Sequence, residues 1–75
     1  MENNLVRKRL VDALPKLRHY ALLLTNDEQN AEELLQETSM RILYEAGKYK
    51  EDCNLKGWMV TIMYNLYIKL EETGR

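Results

Sequence analysis

An all-α fold, a small bundle of three main helices with a short N-terminal helix ahead of them, follows from two features of the 75-residue sequence. Three stretches carry apolar residues at steps of three and four, the period of a helix buried along one side. The breaks between them are short and hold residues that stop or start helices, in Thr25-Asn26-Asp27 and in the run from Gly47 to Asn54. A chain of this length makes one domain, 1–75, near the size at which a single core is only just sufficient.

In the first stretch Leu10, Leu14, Leu17, Ala21 and Leu24 make one apolar stripe. Pro15 interrupts it, because proline lacks the backbone donor and crowds the preceding turn. Either the helix starts near Asp12 with Pro15 in its first turn, or two helical pieces meet there. We favour the second arrangement, with a short helix from about Asn4 and a main one to Leu24. Arg7, Lys8 and Arg9 could contact phosphate, although a basic triplet near a terminus reads first as a solvated face.

Asn26 and Asp27 can accept hydrogen bonds from the free N–H groups of a first helical turn, and Asn26 with Gln29 has the spacing of a capping box. Glu28 adds negative charge where the helix dipole favours it. The second helix is expected to run from here to about Ala46, with Gly47 as its stop and Lys48 and Lys50 suiting its end. Around it, Ala31, Leu34, Leu35, Thr38 and Ile42 fall within roughly 100° of arc and predict the buried stripe. The opposite arc collects Glu33, Gln36, Glu37, Met40, Leu43 and Tyr44. Carboxylates and an amide there frame apolar groups that a purely solvated face does not need, so this face is the candidate functional surface.

Tyr49 through Asn54 reads as a polar connection, with Asn54 capping a third helix from Leu55. Leu55, Trp58, Met59, Ile62, Leu66 and Leu70 line one side of that helix. Val60, Tyr64, Tyr67 and Ile68 make the other side apolar too, which predicts a central position. Gly57 within it suggests close approach of another backbone, and Gly74 marks the end. A helix-turn-helix reader is disfavoured, since the connections differ from its short turn and no helix has a basic reading face.

Composition narrows the function. The hydrophobic share of 45% and charged share of 31% are those of an ordinary globular protein, and no apolar run approaches the ~20 residues of a membrane span. Met1-Glu2-Asn3-Asn4 carries no export pattern and Cys53 is the single cysteine, so a reducing, cytoplasmic setting and no membrane partner are expected. His19 and Cys53 fall short of a zinc set, and no metal or other cofactor is expected. No Gly-rich phosphate loop and no Ser/His/Asp set is present, so an enzyme is not expected. Glu33 and Glu37 could share a proton or metal, but a solvated acidic pair is the commoner meaning of that spacing. Tyr64 and Tyr67 could stack on unpaired bases, although core packing is the commoner fate of such residues.

Charge is uneven along the chain. From Met1 to Thr25 five cations oppose two carboxylates, a net of +3, whereas from Asn26 to Lys50 three oppose six, a net of −3, within a total of −1. The acidic middle helix therefore suits a basic partner better than nucleic acid.

Three runs carry a resemblance to a known family. Leu14-Pro15-Lys16-Leu17-Arg18 with Tyr20-Ala21-Leu22, Asn30-Ala31-Glu32-Glu33-Leu34-Leu35-Gln36-Glu37-Thr38, and Leu55-Lys56-Gly57-Trp58-Met59-Val60-Thr61-Ile62-Met63-Tyr64-Asn65 resemble region 2 of bacterial extracytoplasmic-function sigma factors of the sigma-70 family. The resemblance covers nearly the whole chain. It implies a cytoplasmic transcription-initiation module whose central helix docks on the clamp helices of the beta-prime subunit of RNA polymerase. It also implies that the last helix and its following loop engage and help open the promoter −10 element.

Carried over by position, Glu33, Gln36, Glu37, Ser39 and Leu43 match polymerase-facing positions, and Met40 lies among them on the same face. Asn65 matches an asparagine near the −10 surface, with Tyr64 and Lys69 beside it. The chain departs from the family where Ser39 replaces a frequent aromatic and Leu43 a frequent Trp. The family's last helix is usually basic, whereas the charges from Leu55 to Arg75, three cations and two carboxylates, net only +1. Weak binding of promoter −10 DNA by the isolated domain is the consequence. The family's C-terminal promoter-binding domain is absent from this sequence. An anti-sigma factor is a further partner of the kind the resemblance brings, and a helical interaction module without promoter binding is the alternative reading.

Overall fold

The computed structural model describes residues 4–48 and 54–73. Three helices carry the fold: α1 (Asn4–Thr25), α2 (Glu28–Tyr44) and α3 (Leu55–Thr73), with a 3-10 turn at Ala46–Lys48. The all-α expectation holds. The 22 residues of α1 make a helix of about 33 Å at 1.5 Å per residue, which sets the 35 Å long axis of the molecule.

The expected short N-terminal helix is not a separate element, because α1 runs unbroken through Pro15. The proline is tolerated by its placement. Pro15 and Val11, whose carbonyl loses its helical partner, both face solvent, where water can take the vacant bond. Val6 and Leu10 before it and Leu17 and Ala21 after it are all buried, so tertiary packing holds the two halves on one axis. Substituting Pro15 with Ala should therefore restore one hydrogen bond at no cost in packing. We expect a gain of about 1–2 kcal/mol, less than the full helix-interior penalty because proline also restrains the unfolded chain. Chemical denaturation of the variant checks this; a loss of stability would show that the proline fits the helix better than alanine does.

The α1–α2 corner is built differently from the capping box expected at Asn26. Asn26 has φ 55°, the left-handed conformation that asparagine tolerates, and its N–H bonds the Leu22 carbonyl at 2.7 Å, so it ends α1. Asp27 is the N-cap of α2, its Oδ2 accepting from the Asn30 N–H at 2.9 Å. The Thr25 hydroxyl donates to the Ala21 carbonyl at 2.9 Å, with the Asp27 carbonyl 3.1 Å away. Arg18, about two turns before the end of α1, pairs with Glu32, about one turn into α2. The two helices therefore fold back alongside each other.

At its other end α2 stops at Tyr44, ahead of the expected Ala46, and Gly47 is not a left-handed stop. The backbone tightens instead. Lys48 N–H bonds the Glu45 carbonyl at 2.9 Å, and the 3-10 turn tucks Ala46 into the core. Lys50, Cys53 and Gly74, and the polar connection apart from Asn54, lie outside the described residues.

The stripe expected on α2 is the buried one: Ala31, Leu34, Leu35, Thr38 and Ile42. They join Val6, Leu10, Leu17 and Ala21 of α1 and Met59 and Met63 of α3 in a single core. Thr38 brings a hydroxyl into it, satisfied by donation to the Leu34 carbonyl at 2.7 Å. The central helix is α2, which packs on both others, and not α3 as its all-round apolarity suggested. On α3 only Met59 and Met63 are fully buried among the described side chains, while Tyr64, Ile68 and Leu70 are exposed. Met63 lies one turn from Met59 on the same side of the helix, and so belongs to the core face in place of Leu70.

Gly57 also has a different use from the close backbone approach expected of it. Its N–H is held by Asn54 Oδ1 at 3.3 Å, and a Cβ there would stand 3.1 Å from Asn54 Nδ2. The glycine leaves room for the capping side chain.

Candidate functional site

Burying one side of α2 against two helices fixes what its other side presents. Glu33, Gln36, Glu37, Met40, Leu43 and Tyr44 are all exposed. Helical spacing centres this face on Met40, which has Gln36 and Tyr44 one turn away at four residues and Glu37 and Leu43 at three. Met40 is 66% exposed and Tyr44 82%, too much apolar surface on one helix face to be explained by the fold alone. Glu33 and Glu37 stand on one side of it. Arg41 turns away, pairing with Glu45 at 3.1 Å, which leaves the carboxylates of Glu33 and Glu37 without a basic neighbour in an ion pair among the described residues.

Ser39 departs from the rest of this group. It lies only about 40° around the helix from the buried Leu35, and it is half-buried. It belongs to the flank of the surface, whereas Leu43 is a full member of it. Tyr44, noted on this face but not carried into the polymerase-facing set, is its most exposed apolar residue; its place in the helical arc was the available signal.

On α3, Asn65, Tyr64 and Lys69 are all exposed. Asn65 and Lys69, four apart, share one stripe, while Tyr64 stands about 100° away beside Ile68. The helix thus brings two of the three together. Glu71 and Glu72 follow directly and are exposed as well, so this end of α3 has no excess of positive charge.

A second feature joins residues far apart in the chain. A cleft of about 680 Å³ between α1 and α3 is lined by Leu5, Arg9, Asp12, Ala13, Lys16, Leu55, Lys56 and Met59. Hydrogen bonding to Lys16 and repulsion from its charge hold the Lys56 pKa below the ordinary lysine value. Of the cleft's cations only Arg9 belongs to a local charge pattern, the basic triplet, whereas Lys16 and Lys56 are isolated cations in the sequence. Among the described residues no helix is long and apolar enough to cross a membrane.

Comparison with known proteins agrees with this architecture. Residues 10–70 match the Sigma-70 region 2 family. The chain is 34% identical over 62 residues to the "ECF RNA polymerase sigma factor EcfG" of Rhodopseudomonas palustris (strain TIE-1), an alignment that takes in 83% of this chain and 34% of that protein. The chain therefore spans about a third of the length of that relative. No solved structure matches it. With the matched segment running from Leu10 in the first half of α1 almost to the end of α3, every buried core residue except Val6 lies inside the match, and the chain belongs to the Sigma-70 region 2 family.

Proposed function

We propose that the chain is the polymerase-docking module of a sigma factor, seating the outer face of α2 on the clamp helices of the RNA polymerase beta-prime subunit during transcription initiation. The observation that carries this reading is the exposed face centred on Met40, with Glu33 and Glu37 carboxylates that have no ion-pair partner among the described residues, in a chain of the Sigma-70 region 2 family. The chemistry suits a basic helical partner. Met40, Leu43 and Tyr44 supply apolar anchors that lose water on contact, Gln36 supplies a two-way hydrogen-bonding group, and the carboxylates set orientation and encounter rate. Ser39 adds contact at the edge only.

In the same reading, Asn65 and Lys69 on one stripe of α3, with Tyr64 on the next, contribute to recognition and opening of the promoter −10 element. Asn65 offers donors and acceptors to an exposed base, Tyr64 a stacking face, and Lys69 a phosphate contact. The role is non-catalytic and places the protein in the cytoplasm with the polymerase.

Titration of the 75-residue chain with a clamp-helix fragment tests the docking. Saturable binding is expected, weakened about tenfold by Met40→Ala and about threefold by Gln36→Ala. Absence of binding, or variants that bind like the parent, removes the proposal's support. A second reading is favoured by one observation, the exposed Glu71 and Glu72 beyond Lys69. In it the module binds polymerase or an anti-sigma factor without contacting promoter DNA. Salt-dependent, sequence-selective binding of single-stranded −10 DNA in the polymerase complex excludes that second reading.

A further inference from the structure

We propose that the cleft between α1 and α3 binds a nucleotide, its phosphates held by Arg9, Lys16 and Lys56 and its base laid on Leu5, Ala13, Leu55 and Met59. The site lies on other residues than the α2 face, so it stands whether or not that face docks on polymerase.

Three cations line this cleft against one carboxylate, Asp12. Among the described residues none of the three is in an ion pair with a carboxylate. Arg18 and Arg41, by contrast, are both paired. Lys16 and Lys56 come from helices distant in sequence, yet both line this one cleft, close enough for Lys16 to lower the Lys56 pKa. Two like charges brought together in this way raise the energy of the empty site by mutual repulsion, which a bound anion relieves.

The class of anion follows from the donor geometry. Two ammonium groups and a guanidinium offer more N–H donors than the two oxygens of a carboxylate can accept, whereas a phosphate or polyphosphate has enough oxygens for all three. The remaining lining is apolar, and the volume of about 680 Å³ is within the usual range for a small organic ligand and well beyond what an inorganic anion fills. A nucleotide combines both requirements, with a charged end and a flat, largely apolar body. The same chemistry can arrive as a free nucleoside triphosphate or as a unit of a single strand.

The test is titration of the isotope-labelled 75-residue chain with ATP, with adenosine, with tripolyphosphate and with a short single-stranded DNA. ATP is expected to bind saturably and to shift the signals of Leu5, Ala13, Leu55 and Met59, more tightly than adenosine or tripolyphosphate alone. Lys16→Ala with Lys56→Ala should weaken binding by at least about tenfold, and Asp12→Asn should strengthen it, a gain that damage to the fold cannot imitate. The Lys56 pKa should rise when ATP is bound. ATP binding without DNA binding identifies a free nucleotide; tighter binding of the DNA, with shifts at the same four residues, identifies the strand. No saturable binding of either, the same affinity in the double variant, or shifts confined to other residues overturns the proposal.

Discussion

Replacing Leu34 with alanine is expected to remove about 3 kcal/mol of stability and to lower the midpoint of thermal unfolding by roughly 12–24 °C. Leu34 has no exposed surface and stands in the middle of the stripe that α2 presents to both other helices. A cavity there is shared by the whole core and can collapse only if helices move. The total stability expected for 75 residues is about 4–11 kcal/mol, so the loss is a large fraction of it. Leu23→Ala is the matched control. Leu23 is 67% exposed on α1, and the same chemical change there should cost no more than about 0.5 kcal/mol. Denaturant unfolding followed by circular dichroism measures both; equal losses would mean that α2 is not the helix on which the core is assembled.

The different fates of the three helices show what periodicity can and cannot disclose. On α2 polar and apolar residues separate cleanly around the helix, and all five residues of the expected stripe are buried. On α3 apolar residues occur all round, so the pattern does not say which side meets the core, and Met63 could not be told from Leu70. Central position is a property of how helices are arranged, not of one helix's composition. The more selective stripe of α2 sits between two neighbours while the greasier α3 keeps Tyr64, Ile68 and Leu70 in water.

The corners were less legible than the helices because one residue type serves two purposes there. Asparagine both caps helix starts and tolerates a positive φ, and Asn26 uses the second property, leaving the cap to Asp27. Proline's large local cost makes Pro15 look in sequence like a residue of a first turn or, the favoured arrangement, a junction of two helical pieces, yet its exposure lets water meet the freed carbonyl while packing on both flanks holds the axis. The α2 face was visible in sequence because its residues are three and four apart. The α1–α3 cleft was not, because Lys16 and Lys56 meet only after the bundle has folded.

Reversing the charge of the α2 face, by Glu33→Lys together with Glu37→Lys, is expected to weaken binding to the clamp-helix fragment by at least about 100-fold, or about 2.7 kcal/mol. Each substitution removes an attraction for a basic partner and installs a repulsion, and the two sites lie on the same side of Met40, so both act on one approach. Neither carboxylate is in an ion pair with a described residue, and both are exposed, so the fold should be unaffected and the unfolding midpoint should stay within a few degrees of the parent. Ionic strength supplies an independent check. Salt screens attraction and repulsion alike, so the gap between parent and variant should narrow as salt rises, whereas the tenfold effect of Met40→Ala should persist. A double variant that binds within threefold of the parent at low salt would show that the partner meets α2 through its apolar residues alone. It would also remove the electrostatic argument for a basic helix as that partner.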